Sequence, residues 1–374
     1  MKKTSILFYL HTKIFGAGVY LFLIFFLCIA AANAIPLGKG IGAYIVSTIA
    51  GNGMRGAVDG SKEKARFNWP TGVAVDDKGN IYVADFSNNL IRKIIAQGEV
   101  TTFIGSGRAA FTDGKGRDAH LNGPDNIAMG ADGSIYVADA DNFRIRKVET
   151  DGTITTIAGN GIRGYKDGHW QTAMFAYPTG VAVDKDGNVY VADRGSHSIR
   201  KIIPEGNVVT VAGNGFPAYA DGQGRKSHFR EPISLAVDST GNIYVADSGN
   251  NAIRKIAPDG TVSTLAGGGK SGYRDGAGKE ASFSWPTGIA IDGIGNIYVC
   301  DSQNNRVRRV TPEGVVSTVA GIGISGFADG SGHNAMFNFP TGVELDKAGN
   351  IYIADSGNNR IRKISQGGIL HAKR

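Results

Sequence analysis

The chain has 374 residues, 55 of them Gly, and carries a formal net charge of +7. This length suffices for one large domain or two ordinary ones. The positive charge is modest and spread along the chain, which argues against a nucleic-acid-binding protein, and we expect no nucleic acid as a partner.

Residues 1–34 predict an export signal. Three lysines accompany an uncharged apolar run at residues 14–31, and "ANA" at 32–34 matches the small-x-small pattern of a signal-peptidase site. Cleavage would remove the three lysines and no acid, lowering the formal charge from +7 to +4. The alternative is an uncleaved membrane anchor, because residues 14–31 approach spanning length. We expect a secreted or periplasmic protein that contacts a membrane only if this segment is retained.

Cleavage would also decide the cysteine chemistry. Only Cys300 would then remain, so an intramolecular disulfide is excluded. An exported domain without disulfides depends on a large hydrophobic core, which about 340 residues can supply.

After a short leader at residues 35–45, a repeat of 54 residues governs the chain. The aspartate that ends "YVAD" recurs six times at this interval, and so do the aspartate of a "DG" pair and a proline. An unbroken period of this length is typical of a solenoid or propeller. The "YVAD" aspartates are Asp85, Asp139, Asp193, Asp247, Asp301 and Asp355. The "DG" aspartates are Asp59, Asp113, Asp167, Asp221, Asp275 and Asp329, and the prolines are Pro70, Pro124, Pro178, Pro232, Pro286 and Pro340.

Each copy predicts four short strands, in the first copy residues 72–76, 80–85, 90–94 and 100–105. Gly-containing tight turns separate the first strand from the second and the third from the fourth. Four antiparallel strands repeated six times predict an all-β, six-bladed β-propeller. The small residues of "GVAVD" suit innermost strands that crowd a central channel.

The two ends of the repeat predict how the ring closes. "VSTIAG" (Val46–Gly51) is a fourth-strand sequence ahead of the first copy, and the last copy reaches "GGIL" (Gly367–Leu370) where its own fourth strand is due. We expect the N-terminal strand to complete the last blade, which leaves no open seam. The propeller then spans residues 46–370, followed by a tail at 371–374.

The repeat also resembles a known family. "PTGVAVDKDGNVYVADRGSHSIRKI" (Pro178–Ile202) and its sister copies resemble the NHL repeat, whose triplet shows as "NNL" at 88–90 and "SHS" at 196–198. The resemblance covers about Val46–Ile364. It implies a propeller of a kind that serves mainly as an interaction platform for protein, RNA or glycan, with a few related lyases and hydrolases.

Residues that recur in every blade predict structural roles. The "YVAD" and "DG" aspartates are expected to fix turns by accepting backbone hydrogen bonds. The "IRK"-type pairs, from Arg92–Lys93 to Arg362–Lys363, are expected on solvated strands or in pairs between blades. One connector position predicts apolar plugs between blades, at Phe67, Leu121, Phe175, Phe229, Phe283 and Phe337.

Departures from the repeat predict the functional site. Strand direction places the long connectors on one face, and four blades begin there with "PTG". Blade 2 has Asp125 and Asn126 instead, blade 4 has Ile233 and Ser234 after Glu231, and Arg194 in blade 3 replaces a smaller or apolar residue. We expect Asp125, Asn126, Glu231 and Arg194 to lie near the mouth of the channel. These four residues would form a catalytic or divalent-cation cluster, with Asp125, Asn126 and Glu231 as the metal ligands. The alternative is sequence drift.

Aromatic residues before the mouth proline predict a binding rim. They are Trp69, Tyr177, Trp285 and Phe339. Aromatic rings at this place would stack on sugars or anchor side chains of a partner. The alternative is that they pack against their own connectors.

Three functions follow in order of preference. The first is an exported, monomeric, non-catalytic binding module that takes a protein or cell-envelope glycan on its long-loop face. The second is a metal-dependent lactonase- or lyase-like enzyme at the mouth of blades 2–4. The third is a structural secreted repeat protein. A divalent cation is the one cofactor that the pattern suggests.

Overall fold

A computed structural model describes residues 44–367 and shows a ring of six antiparallel sheets, the blades. Each innermost strand contacts the innermost strands of the two neighbouring blades, so the inner strands enclose a central channel. The predicted propeller is therefore confirmed. The predicted export signal and most of the leader lie outside the described residues, as does the tail. Within residues 44–367, no helix is long and apolar enough to cross a membrane.

The four main strands of a blade run from the channel to the outer edge. The innermost strands are β2 (Pro70–Val75), β7 (Pro124–Met129), β12 (Pro178–Val183), β17 (Pro232–Val237), β22 (Pro286–Ile291) and β27 (Pro340–Leu345). The second strands are β3 (Ile81–Asp85), β8 (Ile135–Asp139), β13 (Val189–Asp193), β18 (Ile243–Asp247), β23 (Ile297–Asp301) and β28 (Ile351–Asp355). The third strands are β4 (Leu90–Ile94), β9 (Arg144–Val148), β14 (Ser198–Ile202), β19 (Ala252–Ile256), β24 (Arg306–Val310) and β29 (Arg360–Gln366). The fourth strands are β5 (Val100–Ile104), β10 (Thr153–Ala158), β15 (Asn207–Ala212), β20 (Thr261–Ala266), β25 (Val315–Ala320) and β1 (Tyr44–Ala50).

The connectors are more ordered than the sequence predicts. In five blades, two connector residues form a short fifth strand on the outer edge of the sheet. These strands are β6 (Gly114–Lys115), β11 (Gly168–His169), β16 (Gly222–Gln223), β21 (Gly276–Ala277) and β26 (Gly330–Ser331). Each connector thus descends along the outside of its blade and returns. Only its first and last residues remain on the long-loop face.

Short 3-10 turns form the remaining regular structure. Six join the second strand to the third on the long-loop face: Phe86–Asn88, Ala140–Asn142, Arg194–Ser196, Ser248–Asn250, Ser302–Asn304 and Ser356–Asn358. Three more lie in connectors: Gly116–Asp118, Gly224–Lys226 and Gly278–Glu280.

Strand β1 closes the ring as predicted. It pairs antiparallel with β29, from Tyr44 opposite Gln366 to Ala50 opposite Ile361. The last blade therefore takes its fourth strand from the beginning of the propeller. Because every blade then meets two neighbours, no inner sheet edge is left open.

The core lies between the blades. The six predicted plug residues are buried, with Phe67 and its aromatic counterparts fully inaccessible to solvent. The innermost strands approach each other so closely that a Cβ on Gly288 would lie 2.1 Å from the Thr341 carbonyl oxygen of the next blade. Glycine is required there by the backbone of the neighbouring strand rather than by a turn.

The expectation for the "IRK" arginines is wrong. Six of them are fully buried: Arg92, Arg146, Arg200, Arg254, Arg308 and Arg362. Each pairs with its own "YVAD" aspartate at 2.6–3.3 Å and with its own "DG" aspartate at 2.6–2.7 Å. Burial of a guanidinium is tolerated because two carboxylates and backbone carbonyls satisfy it. The aspartates also accept backbone N–H groups that are distant in sequence, as Asp85 does from Asn68 and Asp167 from Thr210. They therefore join the connectors to the strands rather than fix local turns, as the sequence had predicted.

Candidate functional site

The mouth of the channel opens on the long-loop face as a cavity of about 180 Å³. Four aromatic side chains that the sequence predicts as a rim line it: Trp69, Tyr177, Trp285 and Phe339. Phe86 adds a fifth ring, and Asp125, Asn126 and Arg194 add polar groups. The cavity therefore combines aromatic side chains with charged and amide groups at one opening.

An unusual backbone conformation orients three of these rings. Trp69, Trp285 and Phe339 have φ between 50° and 55°, in the left-handed region that bulky residues avoid. Each donates its backbone N–H to an asparagine side chain of the preceding blade at 2.9 Å. The Trp69 and Phe339 rings lie near each other, with centroids 5.9 Å apart. Strain of this kind persists only where the surrounding structure enforces it, which is typical of functional sites.

The hydrogen bond that enforces this conformation is present at five of the six blade interfaces. The donors are Trp69, Gly123, Glu231, Trp285 and Phe339, and the acceptors are Asn359, Asn89, His197, Asn251 and Asn305. Phe143 occupies the acceptor position in blade 2, and its side chain has no acceptor atom. Tyr177, which occupies the donor position in blade 3, instead donates its N–H to the Asp193 carboxylate. Its φ is not in the left-handed region. Tyr177 therefore enters the mouth by a different backbone path.

Asp125 lies on the polar side of the cavity. Burial raises the pKa of its carboxyl to about 7, and the negative charge of Asp141 acts in the same direction. The positive charge of Arg194 and a hydrogen bond from Thr71 act against this rise. The pKa of Tyr177 is also raised, first by burial and then by the charges of Asp125 and Asp141. Asp125 therefore changes charge near neutral pH, as general acids and bases do.

Arg194 and Glu231 form an ion pair at the side of the mouth. Arg194 Nη2 lies 2.5 Å, and Nε 3.0 Å, from Glu231 Oε2. The guanidinium also lies 5.8 Å from the centroid of the Trp285 ring. Arg194 lines the mouth cavity and a neighbouring cavity, whereas Glu231 lines only the neighbouring one. The pair therefore forms a charged wall between the two.

The four polar residues predicted at the mouth are only partly brought together. Asp125, Asn126 and Arg194 line one cavity, but Glu231 lies outside it and forms an ion pair with Arg194. Among residues 44–367, no three His, Cys, Asp or Glu side chains are grouped to hold a metal ion. The metal site of Asp125, Asn126 and Glu231 stays a prediction, and the Arg194 guanidinium beside Glu231 would repel a cation there.

Sequence reasoning missed a carboxylate below the mouth. Glu344 lines the channel, a cavity of about 250 Å³ that shares Asn126 and Ser234 with the mouth. Burial raises its pKa to about 7, and one hydrogen bond from the Leu345 N–H at 2.8 Å opposes this. The repeat contains the signal, because the other five blades have alanine at this position: Ala74, Ala128, Ala182, Ala236 and Ala290.

Known proteins show the same repeat. The NHL-repeat profile matches residues 67–94, 175–202, 229–256, 283–310 and 337–364. Over 281 residues, the chain is 34% identical to Protein SUPPRESSOR OF QUENCHING 1, chloroplastic, of Arabidopsis thaliana, covering 70% of this chain and 27% of that protein. It is 29% identical over 338 residues to NHL repeat-containing protein 2 of Gallus gallus, covering 79% and 46%. The chain thus spans less than half the length of these two relatives.

Solved structures share the fold. One is an auxiliary nutrient binding protein from Bacteroides thetaiotaomicron, with a TM-score of 0.67 at 19% identity, covering 87% of this chain and 76% of that one. Another is a gluconolactonase from Xanthomonas campestris, with a TM-score of 0.58 at 15% identity, covering 89% and 93%. At such identities the similarity establishes the fold alone, and this fold carries both binding proteins and enzymes.

Proposed function

The chain is an NHL-repeat β-propeller, and from that premise we propose that it is an exported binding module whose ligand enters the mouth of the channel. One observation carries the proposal: Trp69, Trp285 and Phe339 face the same cavity as Asp125 and Asn126. Rings bind apolar faces, and carboxylate and amide groups bind hydroxyls or amines. The strained backbone of the three aromatic residues prepares the rings before the ligand arrives.

The size of the mouth limits the ligand. Sites for drug-sized molecules enclose about 300–1,000 Å³, whereas the mouth encloses about 180 Å³. It therefore suits a single ring or side chain at the end of a larger molecule. A sugar residue fits this chemistry, since one face of a sugar ring is apolar and its edge carries hydroxyls. We propose a terminal sugar of a cell-envelope glycan as the ligand.

Glycan binding is tested by titrating envelope-derived oligosaccharides into the full chain and into a Trp69→Ala, Trp285→Ala variant. We expect at least a tenfold loss of affinity in the variant, because two stacking surfaces are removed. Trp170→Ala is the matched control, since Trp170 packs at the outer edge of blade 3, away from the mouth. Equal affinity of the double variant would contradict the proposal. Capture of a protein that depends on Trp69 and Trp285, without glycan binding, would replace the sugar by a protein side chain.

A hydrolytic or lyase activity is the second candidate, favoured by the pKa of Asp125 near 7. A carboxyl that titrates at neutral pH between Tyr177 and Arg194 is suited to proton transfer. Turnover of a panel of lactones, with and without calcium, zinc or magnesium, tests this. We expect a rate that changes around pH 7 and is lost in Asp125→Asn. No turnover by the intact chain under any of these conditions would exclude this candidate for these substrates.

A further inference from the structure

The six connectors begin with short loops, here called the tips, on the long-loop face. They comprise residues 52–56, 106–110, 160–164, 214–218, 268–272 and 322–326. In four tips the first side chain accepts a hydrogen bond from the backbone N–H two residues later, at 2.9–3.2 Å. This local turn, with a glycine at its second position, projects the third residue outward.

The projecting residue is apolar and exposed in four blades. Met54, Ile162, Phe216 and Ile324 have relative exposures of 53%, 61%, 71% and 61%. Single exposed apolar residues are ordinary on protein surfaces. These four share one repeat position, so the ring places them at one level around the same face. An apolar side chain at each of four protruding loops indicates a surface that meets another apolar phase.

All charged residues of the tips are basic. The other two blades project Arg108 and Lys270, and Arg55 and Arg163 follow two of the apolar residues. The six tips thus hold four basic residues and no acidic one, although the whole chain has 40 basic and 33 acidic residues. All four basic side chains are exposed. The tips therefore match a partner that is apolar inside and negatively charged at its surface.

We infer that the tips dock the propeller on an anionic lipid bilayer, with the channel mouth facing the membrane. Apolar side chains enter the boundary between headgroups and acyl chains, while the basic side chains remain at the headgroups. A second copy of this chain does not fit this surface, because two such faces would bring like charges together. The inference is independent of the ligand in the mouth.

Vesicle co-sedimentation of the full chain tests the docking. We expect binding to vesicles of phosphatidylcholine mixed with phosphatidylglycerol to exceed binding to pure phosphatidylcholine, and to weaken as salt rises. An Ile162→Ser, Phe216→Ser variant should bind the mixed vesicles at least tenfold less, since burial of each side chain contributes about a factor of ten or more. An Arg108→Glu, Lys270→Glu variant should lose the preference for anionic vesicles.

The opposite face supplies the control. Ile294 is 80% exposed in a hairpin turn of the short-turn face, so Ile294→Ser removes an exposed apolar residue without touching a tip. It should bind as the unmodified chain does, even if the N-terminal apolar segment adds binding to every variant. Equal vesicle binding by all variants would overturn the inference. So would tip variants that change self-association or binding of a protein while vesicle binding stays the same.

Discussion

The side chain of Asn359 in the last blade accepts a hydrogen bond from the backbone N–H of Trp69 in the first blade, at 2.9 Å. This bond crosses the seam where the ring closes, and its equivalents cross four of the other five blade interfaces. It couples the packing of the blades to the orientation of the rim. The residue before five of the six mouth prolines is thus held by the preceding blade, and Tyr177 is the exception.

Loss of this acceptor is expected to release a rim ring. Asn251→Ala removes the partner of the Trp285 N–H, and the free energy of unfolding should fall by about 1–2 kcal/mol. Asn251→Asp is the control, because it keeps an acceptor oxygen and should stay within about 0.5 kcal/mol. Urea denaturation measures both. A loss of the same size in both variants would show that this hydrogen bond does not hold Trp285.

The buried ion pairs predict an asymmetry between the two aspartates that share an arginine. Asp247 is fully buried against Arg254, while Asp221 on the other side is partly exposed to solvent. Asp247→Asn should lower the free energy of unfolding by about 3 kcal/mol or more, because it leaves a buried charge with less compensation. Asp221→Asn should cost about 1 kcal/mol, since water replaces part of the interaction.

Chemical denaturation of the two asparagine variants compares the sites. Lys255→Met, at the half-exposed residue beside Arg254, should change the free energy of unfolding by less than about 0.5 kcal/mol. Equal losses for Asp247→Asn and Asp221→Asn would mean that burial does not determine the strength of these pairs.

The period of 54 residues made the fold predictable, because interval, turn residues and strand sequences all agree on one blade. The rim was predictable for the same reason, since Trp69 and Trp285 occupy one repeat position. The burial of Arg254 was not, because a strand that carries arginine and lysine at consecutive positions has the composition of a solvated surface. Asp247, 7 residues away, lies on the neighbouring strand, whereas Asp221, 33 residues away, meets Arg254 only after the connector folds back on the blade. Glu344 was not predicted because it lies on an innermost strand, away from the loops where departures from the repeat were expected to carry function.

Close packing of the inner strands predicts a strong effect from one added methyl group. Gly288→Ala would place a Cβ 2.1 Å from the Thr341 carbonyl oxygen and 2.9 Å from the Val343 nitrogen. Neither backbone atom can move without separating the blades, so we expect a loss of about 2–3 kcal/mol in the free energy of unfolding. Gly293→Ala is the control, because no atom lies within 4 Å of its Cβ position. Thermal and urea unfolding that ranked the two variants equally would contradict this account of the inner glycines.

Glu344 predicts a stability that depends on pH. Its pKa is about 7 in the folded chain against an ordinary value of 4.5, so the folded state holds the proton more tightly than the unfolded state. The contribution of the protonated Glu344 carboxyl to the free energy of unfolding is therefore fully present below pH 4.5. It is lost as the pH rises through 7. The loss should reach about 2–3 kcal/mol, somewhat below the full value for the shift because the channel admits solvent.

Glu344→Ala restores the residue of the other five blades and removes this titration, which isolates it from that of Asp125. Urea denaturation at a series of pH values measures the free energy of unfolding of both proteins. Near pH 4.5, the titration of Glu344 should add no difference between the variant and the unmodified chain. The variant should become progressively more stable in comparison as the pH approaches 7. Glu344→Gln should follow the alanine variant in its pH dependence, since it also carries no charge. A constant difference between the unmodified chain and both variants across this range would mean that Glu344 does not titrate there.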